Sequence, residues 1–157
     1  MKPIRLSVLS IATLTISLFV SYAWADTMAV EFPSGYRNWT HINSMVLPDG
    51  HFEGLHHIYA NESALNALRG GTPYPDGAVF VFDLFEVVEK DGTITAGERK
   101  FTDVMQRDAA KFAATDGWGY EEFEALTQER LLEDTMTCHG CHKSQQAKGF
   151  VFSTYRE

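Results

Sequence analysis

Ala78-Val79-Phe80-Val81-Phe82-Asp83-Leu84-Phe85-Glu86-Val87-Val88 is β-branched or aromatic almost throughout and apolar at both parities in its first half. Side chains alternate across a strand, so a stretch apolar on both faces reads as a strand covered on both sides, the centre of a sheet. Asp91-Gly92 follows as a two-residue hairpin signal, and Phe101 to Arg107 reads as the partner strand or the edge of one. Before the central strand, Thr72 to Gly77 is turn-rich in proline, aspartate and glycine.

Further upstream, Asn61 suits a helix N-cap and Glu62 the first turn. Ala64, Leu65, Ala67 and Leu68 supply an apolar stripe until Gly70-Gly71 ends it. Leu55 to Ala60 reads as a strand returning from the turn Pro48-Asp49-Gly50. Tyr36 to Val46 reads as its partner, with Ile42 and Val46 on one face and Trp39, His41 and Met45 on the other. Asp26 to Gly35 is a lead-in strap. Downstream, Ala109 to Ala114 suggests a helical patch. Trp118 to Glu124 reads as a strand with Trp118, Tyr120, Glu122 and Glu124 on one face, although its three glutamates also suit a solvated helix start. Leu126 to Leu132 is helical by propensity, and Phe150 to Tyr155 reads as a closing strand. The fold class is α+β: a mostly antiparallel sheet with a few short helices and no internal repeat.

The first residues carry Lys2 and Arg5, an uncharged apolar run from Leu6 to Val20, and Ala23-Trp24-Ala25. This is the pattern of a secretory signal peptide over residues 1–25, with a membrane anchor as the alternative. Its removal takes the formal charge from −8 to −10, because the segment holds two basic residues and no acid. So acidic a chain disfavours nucleic acid and anionic membrane as partners and permits a basic protein. Residues 26–157 form one domain, large enough to bury roughly two thirds of its unfolded surface.

Both cysteines stand in Cys138-His139-Gly140-Cys141-His142. C-x-x-C-H is the attachment signature of a c-type haem: two thiols about a helical turn apart for the vinyl groups, then an imidazole for the iron. His142 is the expected proximal ligand. A redox C-x-x-C, a zinc site and a structural disulfide are the alternatives, but no βαβ pattern precedes the motif and no second ligand pair is spaced for zinc. His139 is expected at the surface. The short tail, residues 143–157, leaves no room for a downstream methionine arm, and the aromatic strands contradict a four-helix bundle.

Tyr36-Arg37-Asn38-Trp39, Ile58-Tyr59-Ala60-Asn61, Asp76-Gly77-Ala78-Val79, Lys111-Phe112-Ala113, Trp118-Gly119-Tyr120, Cys138 to Lys143 and Val151-Phe152 together resemble the cytochrome P-460 family, which includes the β-sheet cytochromes c prime. The resemblance spans nearly all of residues 26–157. It implies a periplasmic, usually dimeric protein with one covalent haem c, histidine below the iron, an open distal side, and chemistry with hydroxylamine or nitric oxide. The hydroxylamine-oxidising members carry a lysine linked to the haem edge just before the Asp-Gly turn. Here that segment is Leu68 to Tyr74, and no lysine occurs between Lys2 and Lys90. Arg69 is a poor substitute, since a guanidinium keeps its proton.

By the same resemblance, Phe52 falls where relatives place a phenylalanine above the iron, and Glu124 where the oxidising relatives have a distal proton acceptor. The bland alternatives are a core aromatic and a solvated acid beside Glu121 and Glu122. Adjacent His56 and His57 point to opposite faces of a strand, so at most one sees the haem; structural histidines are the alternative. Three functions compete: a gas binder that captures nitric oxide, an enzyme oxidising hydroxylamine or nitric oxide with Glu124 as proton acceptor, and an electron carrier. The carrier needs a strong sixth ligand, and none is placed by sequence. A homodimer, a small nitrogen-oxide ligand and a basic electron-transfer partner complete the expectation.

Overall fold

The computed structural model describes residues 29–71 and 73–155. The segment expected to be a signal peptide lies outside the described residues. Among those described, the strands are β1 (Thr40–Leu47), β2 (Gly54–Ala60), β3 (Val79–Lys90), β4 (Thr93–Arg107) and β5 (Trp118–Glu124). Each pairs antiparallel with its sequence neighbour, so β3 is the middle of a five-stranded meander. Helix α1 (Glu62–Gly70) links β2 to β3, and helix α2 (Thr135–His142) follows the sheet. The protein is α+β, and no helix among the described residues is long and apolar enough to cross a membrane.

Local chemistry explains the joints. The Asn61 side chain accepts from the Ala64 amide at 2.9 Å and from the Val79 amide at 3.1 Å, so one cap starts α1 and also ties it to the head of β3. Asp91 (φ 52°) and Gly92 (φ 75°) both lie in the left-handed region, as a type I′ hairpin requires, and Lys90 pairs with Thr93 across them. β4 therefore begins well before the predicted Phe101. Its early residues escape a hydrophobic reading because they belong to a two-stranded arm reaching past the ends of β2 and β5, where Val87, Val88 and Ile94 are exposed.

Both faces of the sheet are covered. One carries Ile42, Ile58, Ala60, Phe80, Met105, Trp118 and Tyr120, packed under Ala64, Leu65, Tyr74, Phe150 and Val151, with Cys138 against this core. The other carries Val81, Val104 and Phe123 beneath Val30, Tyr36 and Phe112. On that second face Asp83 is fully buried, bonded to the Tyr36 hydroxyl at 2.7 Å and flanked by Arg37 at 3.1 Å and Arg99 at 2.8 Å.

Four local expectations are corrected. A bulge between His41 and Asn43 puts Ile42 and Met45 on the same core, while Val46 is exposed, so the predicted alternation of β1 breaks there. Leu126 to Leu132 is not a helix. Glu124 N–H donates to Glu129 O and Leu131 N–H to Glu122 O, so the chain doubles back along β5 and the ladder overrides helix propensity. Phe150 to Tyr155 does not join the sheet, its first residue turning in the left-handed region (φ 69°), and the patch near Ala109 shrinks to a 3₁₀ turn at Ala113–Thr115.

Candidate functional site

Helix α2 starts at Asp134, whose carboxylate accepts from the Met136 amide at 2.9 Å, and it packs against β5. The pitch of the helix turns Cys138 inward, half-buried against the first core, and leaves Cys141 exposed; both thiols are free. The ring of His142 sits between those of Tyr120 and Phe152, each with its centroid 5.0 Å away. Its Nδ1 lies 2.7 Å from the Phe150 carbonyl oxygen. A carbonyl only accepts, so Nδ1 carries the hydrogen and Nε2 keeps its lone pair. Burial lowers the pKa of His142, and the Phe150 hydrogen bond opposes this only in part, so the imidazole is held neutral.

Burial pushes the Cys138 thiol up to about 11, and the charges of Asp103 and Glu122 push it the same way. Such a thiol lacks the stabilised thiolate that a redox C-x-x-C relies on. His139 corrects its expectation: it is buried, stacks on Phe150 with centroids 5.6 Å apart, and places Nε2 3.1 Å from Asp116. The reason is the helix, which turns the second residue of the motif back toward Tyr120 and the chain's return segment.

The sheet face beneath α2 also holds polar groups. Sheet register sets Phe82 opposite Asp103, and Asp103 opposite Glu122. Burial raises the pKa of Asp103 well above the carboxylate norm, and the neighbouring Glu122 adds to it, since two adjoining carboxyls resist ionising together. Asp103 Oδ2 is enclosed and has no hydrogen-bond partner. On its outer side Glu122 meets His51 Nε2 at 2.7 Å.

Phe52 lies in the β1–β2 turn, partly exposed, with its ring 5.9 Å from that of Phe82 and 6.1 Å from that of Phe101. It therefore reaches the same face as Asp103. Glu124 ends β5, and its Oε2 accepts from the Leu126 amide at 2.7 Å, the Thr127 amide at 2.6 Å and the Thr127 hydroxyl at 3.1 Å. Those bonds lower its pKa and engage the carboxylate in the turn that follows β5. His56 is fully buried with Nε2 2.5 Å from the Phe52 carbonyl, whereas His57 faces the opposite side and Ser44. Asp103, Glu122 and His51 were missed from sequence. Their signal is the β4–β5 register, which no local pattern carries.

Two free thiols and a neutral imidazole whose Nε2 keeps its lone pair sit on one short helix over an aromatic bed, beside a half-buried acid with one enclosed, unpartnered oxygen. These are donors and surroundings that suit a haem. Sheet and donors together are those of a haem-binding cytochrome. The Cytochrome P460 family model matches residues 33–153, and the chain belongs to that family. No curated protein matches the chain.

Proposed function

We propose that this chain is an exported mono-haem c-type cytochrome that binds a small nitrogen oxide, such as nitric oxide, at an open iron face. The carrying observation is the His142 Nδ1 to Phe150 carbonyl bond of 2.7 Å, on a helix that also bears two free thiols. Cys138 and Cys141 would hold the haem through thioethers and His142 Nε2 would hold the iron. When bound, the haem supplies a coordination site for a diatomic ligand and a one-electron store. The chain's own residues do the rest. Tyr120 and Phe152 fix the imidazole plane, Phe150 fixes its tautomer, and Phe52 with Phe82 offers an apolar flank that disfavours anions and admits a small neutral gas.

Absence of the lysine supports binding over the cross-linked enzyme. Arg69 in that segment is engaged with Tyr155, donating to its hydroxyl at 2.8 Å and lying 4.6 Å over its ring. Cleavage after Ala25, a periplasmic location, a basic electron-transfer partner for the acidic mature chain and a homodimer belong to the same proposal. A second reading, oxidation of hydroxylamine or nitric oxide, is favoured by one observation: Asp103 is a carboxyl whose pKa burial raises and whose Oδ2 is enclosed without a hydrogen-bond partner, as suits a proton acceptor.

The test is the exported protein made with haem-attachment machinery. It should gain one haem mass, keep it through acid-acetone extraction, and show a broad high-spin ferrous band that shifts with nitric oxide. A polypeptide without added haem mass defeats the proposal. A sharp low-spin band pair supports the electron carrier, and rapid hydroxylamine oxidation supports the enzyme.

A further inference from the structure

Ligand binding as proposed leaves His51, Glu122 and Asp103 without a role. We propose that His51, Glu122 and Asp103 form a proton relay from solvent to the interior face beneath the haem-motif helix. This deepens the cytochrome reading and rests on a haem being held beside Cys138.

Exposure falls along the line. The His51 side chain is 62% exposed and that of Glu122 14%, while Asp103 Oδ2 is enclosed. His51 is held in place, its ring stacked on Phe101 at 5.0 Å with a 16° interplanar angle and its Nε2 2.7 Å from Glu122 Oε2. The ladder then sets Glu122 directly opposite Asp103. Imidazole and carboxyl groups each both accept and donate a proton, so every step joins groups able to exchange one. Like acids opposite one another across a ladder disfavour the sheet when both are charged, and an enclosed oxygen without a partner costs folding free energy. Neither feature serves packing. Both suit a site where one proton is shared and the free oxygen faces something that comes and goes.

Neighbouring groups do not offer a rival route. Glu121 is engaged by Arg130 at 3.4 Å and by the Leu132 amide at 3.2 Å; His56, bonded through Nε2 to the Phe52 carbonyl, and Tyr120 are buried, the His56 Nδ1 and the Tyr120 hydroxyl having no hydrogen-bond partner, so neither opens to solvent as His51 does. Cys138 is the remaining titratable group facing the pair from α2, and it loses its proton site once it forms a thioether. Inward, a proton on His51 Nε2 moves to Glu122, the proton of Glu122 moves to Asp103, and Oδ2–H is presented to the interior. Outward, an Asp103 carboxylate takes a proton from a bound molecule and the same bonds exchange in reverse order. No electrons move in the relay.

The experiment uses the haem-loaded protein, with covalent haem verified by mass. Its reduction, followed spectroelectrochemically, should take up about one proton per electron across the pH window in which Asp103 titrates. A protonated-carboxyl stretch should change in the infrared difference spectrum between ferric and ferrous states. Asp103→Asn should abolish both signals, and Glu122→Gln should do the same if the first variant does not fold. His51→Gln should keep the equilibrium coupling but slow proton uptake after rapid reduction by on the order of a hundredfold. Glu89→Gln on the exposed arm should change nothing. A pH-independent potential in haem-loaded wild type, or unaltered uptake in His51→Gln, overturns the relay and leaves the cytochrome reading intact. Absence of covalent haem overturns the cytochrome reading itself.

Discussion

His142 and Phe150 meet at 2.7 Å, imidazole Nδ1 to backbone carbonyl, so the orientation of the motif histidine is set by the segment that follows the motif. Replacing His142 with alanine removes that bond and, on the proposed reading, the iron's base as well. The variant should still gain the haem mass through Cys138 and Cys141, but its ferrous spectrum should become unstable or mis-ligated. An unchanged ferrous spectrum would remove His142 from the proximal position.

Asp103→Asn makes a pH-dependent change in stability. The folded pKa of Asp103 is raised, so its favourable contribution is present below the ordinary carboxyl pKa near 3.9 and is lost as pH rises toward the folded value. Wild type should therefore lose stability relative to the asparagine variant by about 1.4 kcal/mol per pH unit across that window, then level off. Urea midpoints measured at a series of pH values check this. A constant difference from pH 3 to 8 contradicts it.

Asp83→Ala should destabilise the fold by about 3–5 kcal/mol, because the buried carboxylate compensates Arg99 and Arg37 and accepts from Tyr36. Burial and, after it, the bond to Asp83 push the Tyr36 hydroxyl up to about 12; in the variant the part owed to Asp83 should go and the part owed to burial should stay. Chemical denaturation and an ultraviolet titration of the tyrosines read the two effects. A loss under about 1 kcal/mol would mean that the ion cluster is worth no more than an exposed pair.

Glu124→Ala should loosen the turn after β5 and leave nitrogen-oxide binding alone. The carboxylate of Glu124 accepts from Leu126 and Thr127, and its lowered pKa means that this support is present at neutral pH and fades as pH falls through the folded value. Amide exchange at Leu126 and Thr127 should quicken. Loss of nitrogen-oxide chemistry in this variant would put Glu124 at the reaction centre instead.

What was legible in the sequence is what local chemistry decides. The Asn61 cap, the Asp91-Gly92 turn, the centrality of β3 and the C-x-x-C-H helix each depend on residues within a few positions of one another, so the chain announces them. Misreadings fall where a distant partner decides. Leu126 to Leu132 has helix propensity but is captured by the edge of β5, and Phe150 to Tyr155 has strand character but finds the motif helix in place of a ladder. The bulge at Ile42 is a one-residue slip that composition does not mark. Asp103 carries no local signal at all, because its character comes from Glu122 across the register and from the covering helix.

Because every strand pairs with its neighbour in sequence, the meander is complete at Glu124, before the first residue of the motif helix. Local pairings close at low entropic cost and form early. The sheet can thus assemble as a finished cradle while the cysteines are still free chain. On the proposed reading, attachment of the prosthetic group is then the last stitch, made on a short helix that packs against an already finished sheet.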